Sequence, residues 1–149
     1  MYEVKVAFPG AEKIMRDKGL DPGGKIQRFF SSEVMRISDP YLPRDDAGVL
    51  QSDARVADSG DAVIYNTVYA RYHWYGKLMV DPITGKGAFH DPSSGRFWSR
   101  PGIDKVLTDR DMKYRGAPMR GPHWVTRAWI DNGGLVLSGI EKLINGGQK

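Results

Sequence analysis

Tyr65-Asn66-Thr67-Val68-Tyr69-Ala70-Arg71-Tyr72-His73-Trp74-Tyr75-Gly76 decides how the middle of this chain is read. Tyr69, Tyr72, Trp74 and Tyr75, with His73 among them, fall within eight residues at the end of an alternating run. The alternation predicts a strand from Ile64 to Tyr72, and the aromatic crowd at its end reads as an assembly surface rather than a reaction centre. Packing of Tyr69 and Tyr72 within the sheet is the competing reading, because cross-strand aromatic pairs stabilise a sheet by themselves.

Turn chemistry is dense on both sides of this stretch. Upstream, Arg55-Val56-Ala57-Asp58 and Asp61-Ala62-Val63-Ile64-Tyr65-Asn66 are short β-compatible runs joined by Ser59-Gly60, which predicts a hairpin. Downstream, Lys77 to Val80 reads as a further strand. Residues 81–102 then form a long loop or extended hairpin, broken by Asp81-Pro82, Thr84-Gly85, Asp91-Pro92, Ser93-Ser94-Gly95 and Pro101-Gly102. Excursions of that length inside a compact domain are usually functional or disordered. This one carries Phe89, Arg96, Phe97 and Trp98, and no local pattern gives these side chains a core face. Buried aromatics and Arg supply much of the energy of protein interfaces, so the four are candidate partner contacts. The alternative is that the segment folds back and patches its own core.

The flanks supply helices. Tyr2, Val4, Val6 and Phe8 alternate with Glu3, Lys5 and Ala7 as in a half-buried strand, and Ala11 to Lys18 reads as a short helix closed by Gly19. Asp21-Pro22 offers a capping acid and a residue already at helical φ for a second helix. In that helix Ile26, Phe29, Phe30, Val34 and Ile37 recur at steps of three or four, a core-facing stripe that Asp39-Pro40 ends. Residues 39–53, with Pro40, Pro43, Asp45, Asp46 and Gly48, read as loop. In the C-terminal helical segment, residues 121–145, Val125, Trp129, Val136, Ile140 and Leu143 share one side, and Gly133-Gly134 predicts a kink or break.

Composition narrows the classes. A chain of 149 residues with 40% hydrophobic and 27% charged content fits a single soluble domain spanning residues 1–149. Zero cysteines exclude disulfides, thiolate metal sites and cysteine nucleophiles. The start lacks a signal-peptide pattern and no apolar run approaches a membrane span, so a cytoplasmic site of synthesis and no membrane partner are expected. The net charge of +4 is uneven: Arg96 to Arg127 holds eight of the 22 Lys and Arg but only three of the 18 Asp and Glu. A solvated basic surface is the plain reading. Steering toward nucleic acid or an acidic protein face is the functional one.

Enzyme readings are thin, and no catalytic, metal or cofactor-binding residues are assigned. His73, His90 and His123 match no compact metal-ligand spacing, and phosphate-loop and nucleophile-elbow patterns are missing. His90-Asp91 beside Ser93 and Ser94 contains hydrolase residue types, but adjacent residues rarely reach the geometry of a triad. A small basic nucleic-acid-binding module is the stronger alternative, since Phe97, Trp98, Tyr114, Trp124 and Trp129 interleave with Arg in the basic third. No helix-turn-helix, zinc-finger or basic-zipper pattern accompanies them.

Four segments, in order, resemble the minor capsid, or neck, proteins of long-tailed bacteriophages: Tyr41 to Leu50; Ile64 to Tyr72; Tyr75-Gly76-Lys77-Leu78-Met79-Val80-Asp81-Pro82; and Met112-Lys113-Tyr114 to Trp124 before a closing helix. The resemblance implies an α+β domain, a small antiparallel β-sheet packed with two to three helices, with one long loop. It also implies a structural role without enzymatic activity: a homo-oligomeric ring joining head to tail, beside portal, neck or tail proteins, in incidental contact with DNA. Such a protein resides in the virion after assembly in the host cytoplasm. A head-to-tail ring uses two different patches on each subunit. Phe89, Arg96, Phe97 and Trp98 are expected to form one, and Tyr72, Trp74 and Tyr75 the other.

Overall fold

The structure, a computed structural model, describes residues 11–44, 49–67 and 69–146. The strand expected over Tyr2 to Phe8 and the Asp45-Asp46 pair lie outside the described residues. In chain order the elements are α1 (Ala11–Asp17), α2 (Lys25–Ser38), a 3-10 turn (Asp39–Tyr41), α3 (Val49–Ser52), β1 (Ala54–Val56), β2 (Val63–Tyr65), α4 (Ala70–Tyr75), β3 (Lys77–Val80), β4 (Phe89–Asp91), β5 (Arg96–Trp98), β6 (Val106–Asp111) and α5 (Trp124–Gly146). The α+β class is as the sequence implies, and the antiparallel strands divide into three two-stranded pairs, β1–β2, β3–β6 and β4–β5.

The centre of the fold is α2 laid against α5. Ile26, Val34 and Ile37 of the expected stripe are buried, and Phe30 packs on the core with its ring edge-on to Trp129, 5.7 Å between centroids at 71°. Phe29 lies over the α5 backbone, 3.1 Å from where a Cβ on Gly139 would stand. From α5 the core receives Trp124, Ala128 and Val136; from the 3-10 turn and its exit, Tyr41 and Leu42; from α3, Leu50; and from α4, Ala70. The Tyr41 hydroxyl donates to Asp131 Oδ2 at 2.7 Å and accepts from Asn132 Nδ2 at 3.2 Å, which fastens the turn after α2 to α5.

Two helix boundaries depart from the sequence expectation. Asp21-Pro22 does not open α2; the Asp21 carbonyl accepts the Gly24 N–H at 2.8 Å in a preceding turn, and Gly24 takes the N-cap position in extended conformation. Nor does Gly133-Gly134 break α5, which runs unbroken for 23 residues. The Trp129 ring lies on the backbone at Gly133, where a Cβ would come within 2.8 Å of it, so packing across the glycine outweighs its low helix propensity.

The larger correction concerns the opening stretch. The strand expected to reach Tyr72 stops at Tyr65, and Ala70–Tyr75 is helix. Helical spacing puts Ala70 and Trp74 four apart on one face; Ala70 is buried and Trp74 meets Trp124 edge-on at 4.9 Å and 89°. Gly76 then ends the helix in the left-handed region at φ 69, which glycine adopts without steric cost. Tyr69 and Tyr72 therefore do not stack within a sheet. The Tyr114 hydroxyl donates to the His73 carbonyl at 2.8 Å and the His123 N–H to the Trp74 carbonyl at 3.1 Å, so α4 is held by the segment after β6.

The hairpin expected around Ser59-Gly60 is present as β1–β2, paired Ala54 with Tyr65 and Val56 with Val63. Arg28 Nη2 donates to the Asp58 carbonyl at 2.6 Å and Ser31 Oγ to the Gly60 carbonyl at 2.8 Å, tying its turn to α2. β3 takes its partner from beyond the long excursion, with Met79 opposite Leu107 and Val80 opposite Val106. A Lys77–Asp111 ion pair closes the far end of that ribbon.

Candidate interaction surface

The excursion between β3 and β6 is an extended hairpin. β4 and β5 pair Phe89 with Trp98, His90 with Phe97 and Asp91 with Arg96. Successive side chains on a strand point to opposite faces, so each face of this ribbon carries one aromatic pair. Phe89 stacks on Trp98 at 4.7 Å and 24°, and His90 lies against Phe97 at 4.7 Å and 36°. These cross-strand contacts hold the ribbon in shape, but they do not cover it: Phe97 is 69% and Trp98 52% exposed. Arg96 is exposed beside them, and Phe89 is half-buried under its stacking partner.

The hairpin turn explains the residue types that hint at hydrolysis. Asp91 Oδ1 accepts the Ser93 N–H at 3.0 Å and its hydroxyl at 2.6 Å, while Oδ2 accepts the Ser94 hydroxyl at 2.6 Å. Those donors, the Ser93 hydroxyl foremost, hold the Asp91 carboxyl down at a pKa of about 2. Both serine hydroxyls donate hydrogen bonds to a turn carboxylate and His90 lies against a phenyl ring. The four residues form a turn, with no nucleophile aligned on a base.

At its base the hairpin is clamped by a pair the sequence does not advertise. Asp81 is buried, and Arg100 approaches it with both arms, Nε to Oδ2 at 2.6 Å and Nη2 to Oδ1 at 2.5 Å. Oδ1 also accepts the Ile83 and Thr84 N–H groups at 2.8 and 3.1 Å. The Arg100 hydrogen bonds, followed by those backbone donors, keep the Asp81 carboxyl well below the usual carboxylate range. Asp81-Pro82 with Thr84-Gly85 is a recognisable side-chain-capped turn. The link to Arg100, nineteen residues on, has no local signature.

The second expected patch separates into two environments. Tyr72 and Tyr75 line an open groove of ≈ 490 Å³ between α4 and the β3–β6 ribbon, together with Arg71, Met79, Asp104, Lys105 and Leu107. Tyr75 is 52% and Leu107 58% exposed. Trp74 turns the other way, toward Trp124 and toward His123 at 5.2 Å. The structure thus brings Tyr72 and Tyr75 together and sets Trp74 against the core; Met79 and Leu107 join the groove only because β6 pairs with β3.

Several cations of the basic third serve the fold itself. Arg100 binds Asp81, Arg120 Nη1 donates to the Leu42 carbonyl at 2.6 Å, and Arg127 Nε donates to the Pro122 carbonyl at 2.8 Å. Among the described residues, no group of three acidic, His or Cys side chains is placed to hold a metal ion, and no helix is long and apolar enough to cross a membrane.

A family model described as minor capsid protein matches residues 2–111, which takes in the hairpin, the clamp and the groove. No curated protein and no solved structure matches the chain.

Proposed function

This chain belongs to the minor capsid protein family and is a structural protein of the virion; on that premise we propose that it assembles as a homo-oligomeric ring in the phage neck, joining the head, on the portal side, to the tail. The observation that carries this reading is the β4–β5 hairpin. A two-stranded ribbon is marginal in water on its own, yet this one projects two large exposed aromatics, stiffened by cross-strand stacking and anchored by the Asp81–Arg100 clamp. Such a feature is suited to a partner surface. Phe89, Arg96, Phe97 and Trp98 form the projecting contact in this reading, and Tyr72 and Tyr75 belong to a separate exposed patch, so each subunit has the two unlike surfaces that a closed ring requires. Neighbouring portal, neck or tail proteins extend the contacts above and below, DNA passes in incidental contact, and assembly takes place in the host cytoplasm.

The reading assigns the chain no catalytic step, in keeping with a His90-Asp91-Ser93 group spent on a turn. The test is complementation. Phage carrying Phe97→Ser with Trp98→Ser are expected to yield folded protein that is missing from purified particles, with tail-less heads accumulating. Electron microscopy of wild-type particles is expected to show ring density at the neck. Tailed, infectious particles from the double variant refute the assignment of the hairpin. Micromolar binding of duplex or single-stranded DNA at physiological salt, falling steeply as salt rises, favours a nucleic-acid-binding module instead.

A further inference from the structure

The geometry points to a jointed arm: the β4–β5 ribbon is a stiff body that swings on a fixed base, and the joint is the pair of short links at Gly87-Ala88 and at Ser99. The base is tied on both strands. The Asp81 N–H donates to the Lys86 carbonyl and the Gly85 N–H to the Asp81 carbonyl, both at 2.8 Å, so the outgoing strand is held as far as Lys86. Arg100 fixes the return strand to the buried Asp81 carboxylate. Pairing within the arm starts with Phe89 opposite Trp98. Between base and arm lie Gly87 and Ala88 on one strand and Ser99 on the other.

The arm moves as one piece because its ties are internal. Phe89 stacks on Trp98, His90 lies against Phe97, and the hydrogen bonds among Asp91, Ser93 and Ser94 stay within the turn. At the joint, a Cβ on Gly87 would meet nothing within 4 Å, and Ala88 and Ser99 are exposed, so no packed neighbour stops the backbone from turning there. Continuing the register places Ala88 beside Ser99, and two links side by side bend about the line through both. The swing is therefore perpendicular to the ribbon: one direction advances the face of Phe97, the other the face of Phe89 and Trp98. Ala88 to Pro92 spans about 13 Å of strand, so a rotation of ~20° carries the tip about 4–5 Å. A partner surface meets rings whose mutual spacing is fixed and whose angle to the body is not. The joint belongs to the single subunit and operates with or without a ring.

The chain has no cysteine, so spin labels attach to introduced thiols alone. Ser32→Cys on α2 marks the body, Ile83→Cys the base and Ser94→Cys the tip of the arm; all three positions are exposed. Distances are read by pulsed electron double resonance on the full chain, diluted into unlabelled wild type so that only pairs within one subunit contribute. The Ser32/Ile83 distribution is expected to be narrow and the Ser32/Ser94 distribution about twice as wide. Gly87→Val has open space for its side chain and a stiffer backbone, and is expected to narrow the second distribution toward the first. A third pair, Ala88→Cys with Ser94→Cys, lies within the arm and is expected to stay narrow by dipolar line broadening; a wide one reveals a melted ribbon and overturns the rigid arm. A Ser32/Ser94 distribution as narrow as that of Ser32/Ile83 overturns the joint. Equal breadth in those two pairs overturns the anchored base, and unchanged breadth in Gly87→Val overturns the placement of the joint at this link.

Discussion

Replacing Gly133 and Gly134 separately by Ala is expected to move stability in opposite directions, although the two are adjacent in one helix. Each substitution removes the backbone-entropy penalty of glycine in a helix interior, worth about 1 kcal/mol. At Gly134 a new Cβ meets nothing within 4 Å, so the gain stands alone. At Gly133 the same atom falls 2.8 Å from Trp129 Cδ2 and 2.9 Å from Cε2. The indole cannot swing aside freely, because Phe30 of α2 stands edge-on to it at 5.7 Å. Overpacking of this kind costs about 1–3 kcal/mol. Loss of an aromatic edge contact adds about 0.5–1.5 kcal/mol. The balance is a gain of about 1 kcal/mol for Gly134→Ala and a net loss of about 2 kcal/mol for Gly133→Ala. Urea titration followed by far-UV circular dichroism reads the difference as midpoints displaced to either side of wild type with unchanged slope; near 150 residues, 1 kcal/mol moves Tm by about 2–4 °C. If both variants are stabilised equally, the Trp129 ring does not lie on the helix at Gly133, and the account of α5 as an unbroken helix locked to α2 fails.

Three further outcomes separate structure from assembly. Trp124→Ala removes an indole that is 2% exposed and edge-on to both Tyr65 and Trp74; a loss of about 3–5 kcal/mol is expected, read by urea midpoint. Trp98→Ser, at a half-exposed ring, is expected to cost no more than about 1 kcal/mol in the same assay, and a cost as large as that of Trp124→Ala shows the hairpin to be part of the core. The depressed carboxyls of Asp81 and Asp91 bind fewer protons folded than unfolded. Their stabilisation is therefore complete above the ordinary carboxylate pKa near 4 and is lost as pH falls below it, for Asp91 toward about 2. Between pH 5 and pH 2.5 the wild type is expected to lose more of its urea midpoint than Asp81→Asn, and parallel losses count against the clamp.

What was legible in the sequence is what short-range physics decides. The stripe Ile26, Phe29, Phe30, Val34 and Ile37 has one helical period and one outcome, and Ser59-Gly60 between β-compatible runs gives the β1–β2 hairpin. The Tyr65-to-Gly76 stretch was not decidable that way. Over so few residues, alternation and helical spacing assign the same aromatics to different faces, and the arbiter is Trp124, about fifty residues away, which takes Trp74 into the core only if Ala70–Tyr75 is helical. The same distance effect hid β6, whose Val106-Leu107 run gains its meaning from pairing with β3, and the Asp81–Arg100 clamp, whose two halves are each unremarkable alone. It also divided the expected aromatic patch, sending Trp74 inward and leaving Tyr72 and Tyr75 on a groove wall completed by Met79 and Leu107. Aromatic crowding in a sequence therefore marks where a surface and a core meet without saying which ring goes to which; the long-range partner decides, and here that partner is Trp124 for Trp74.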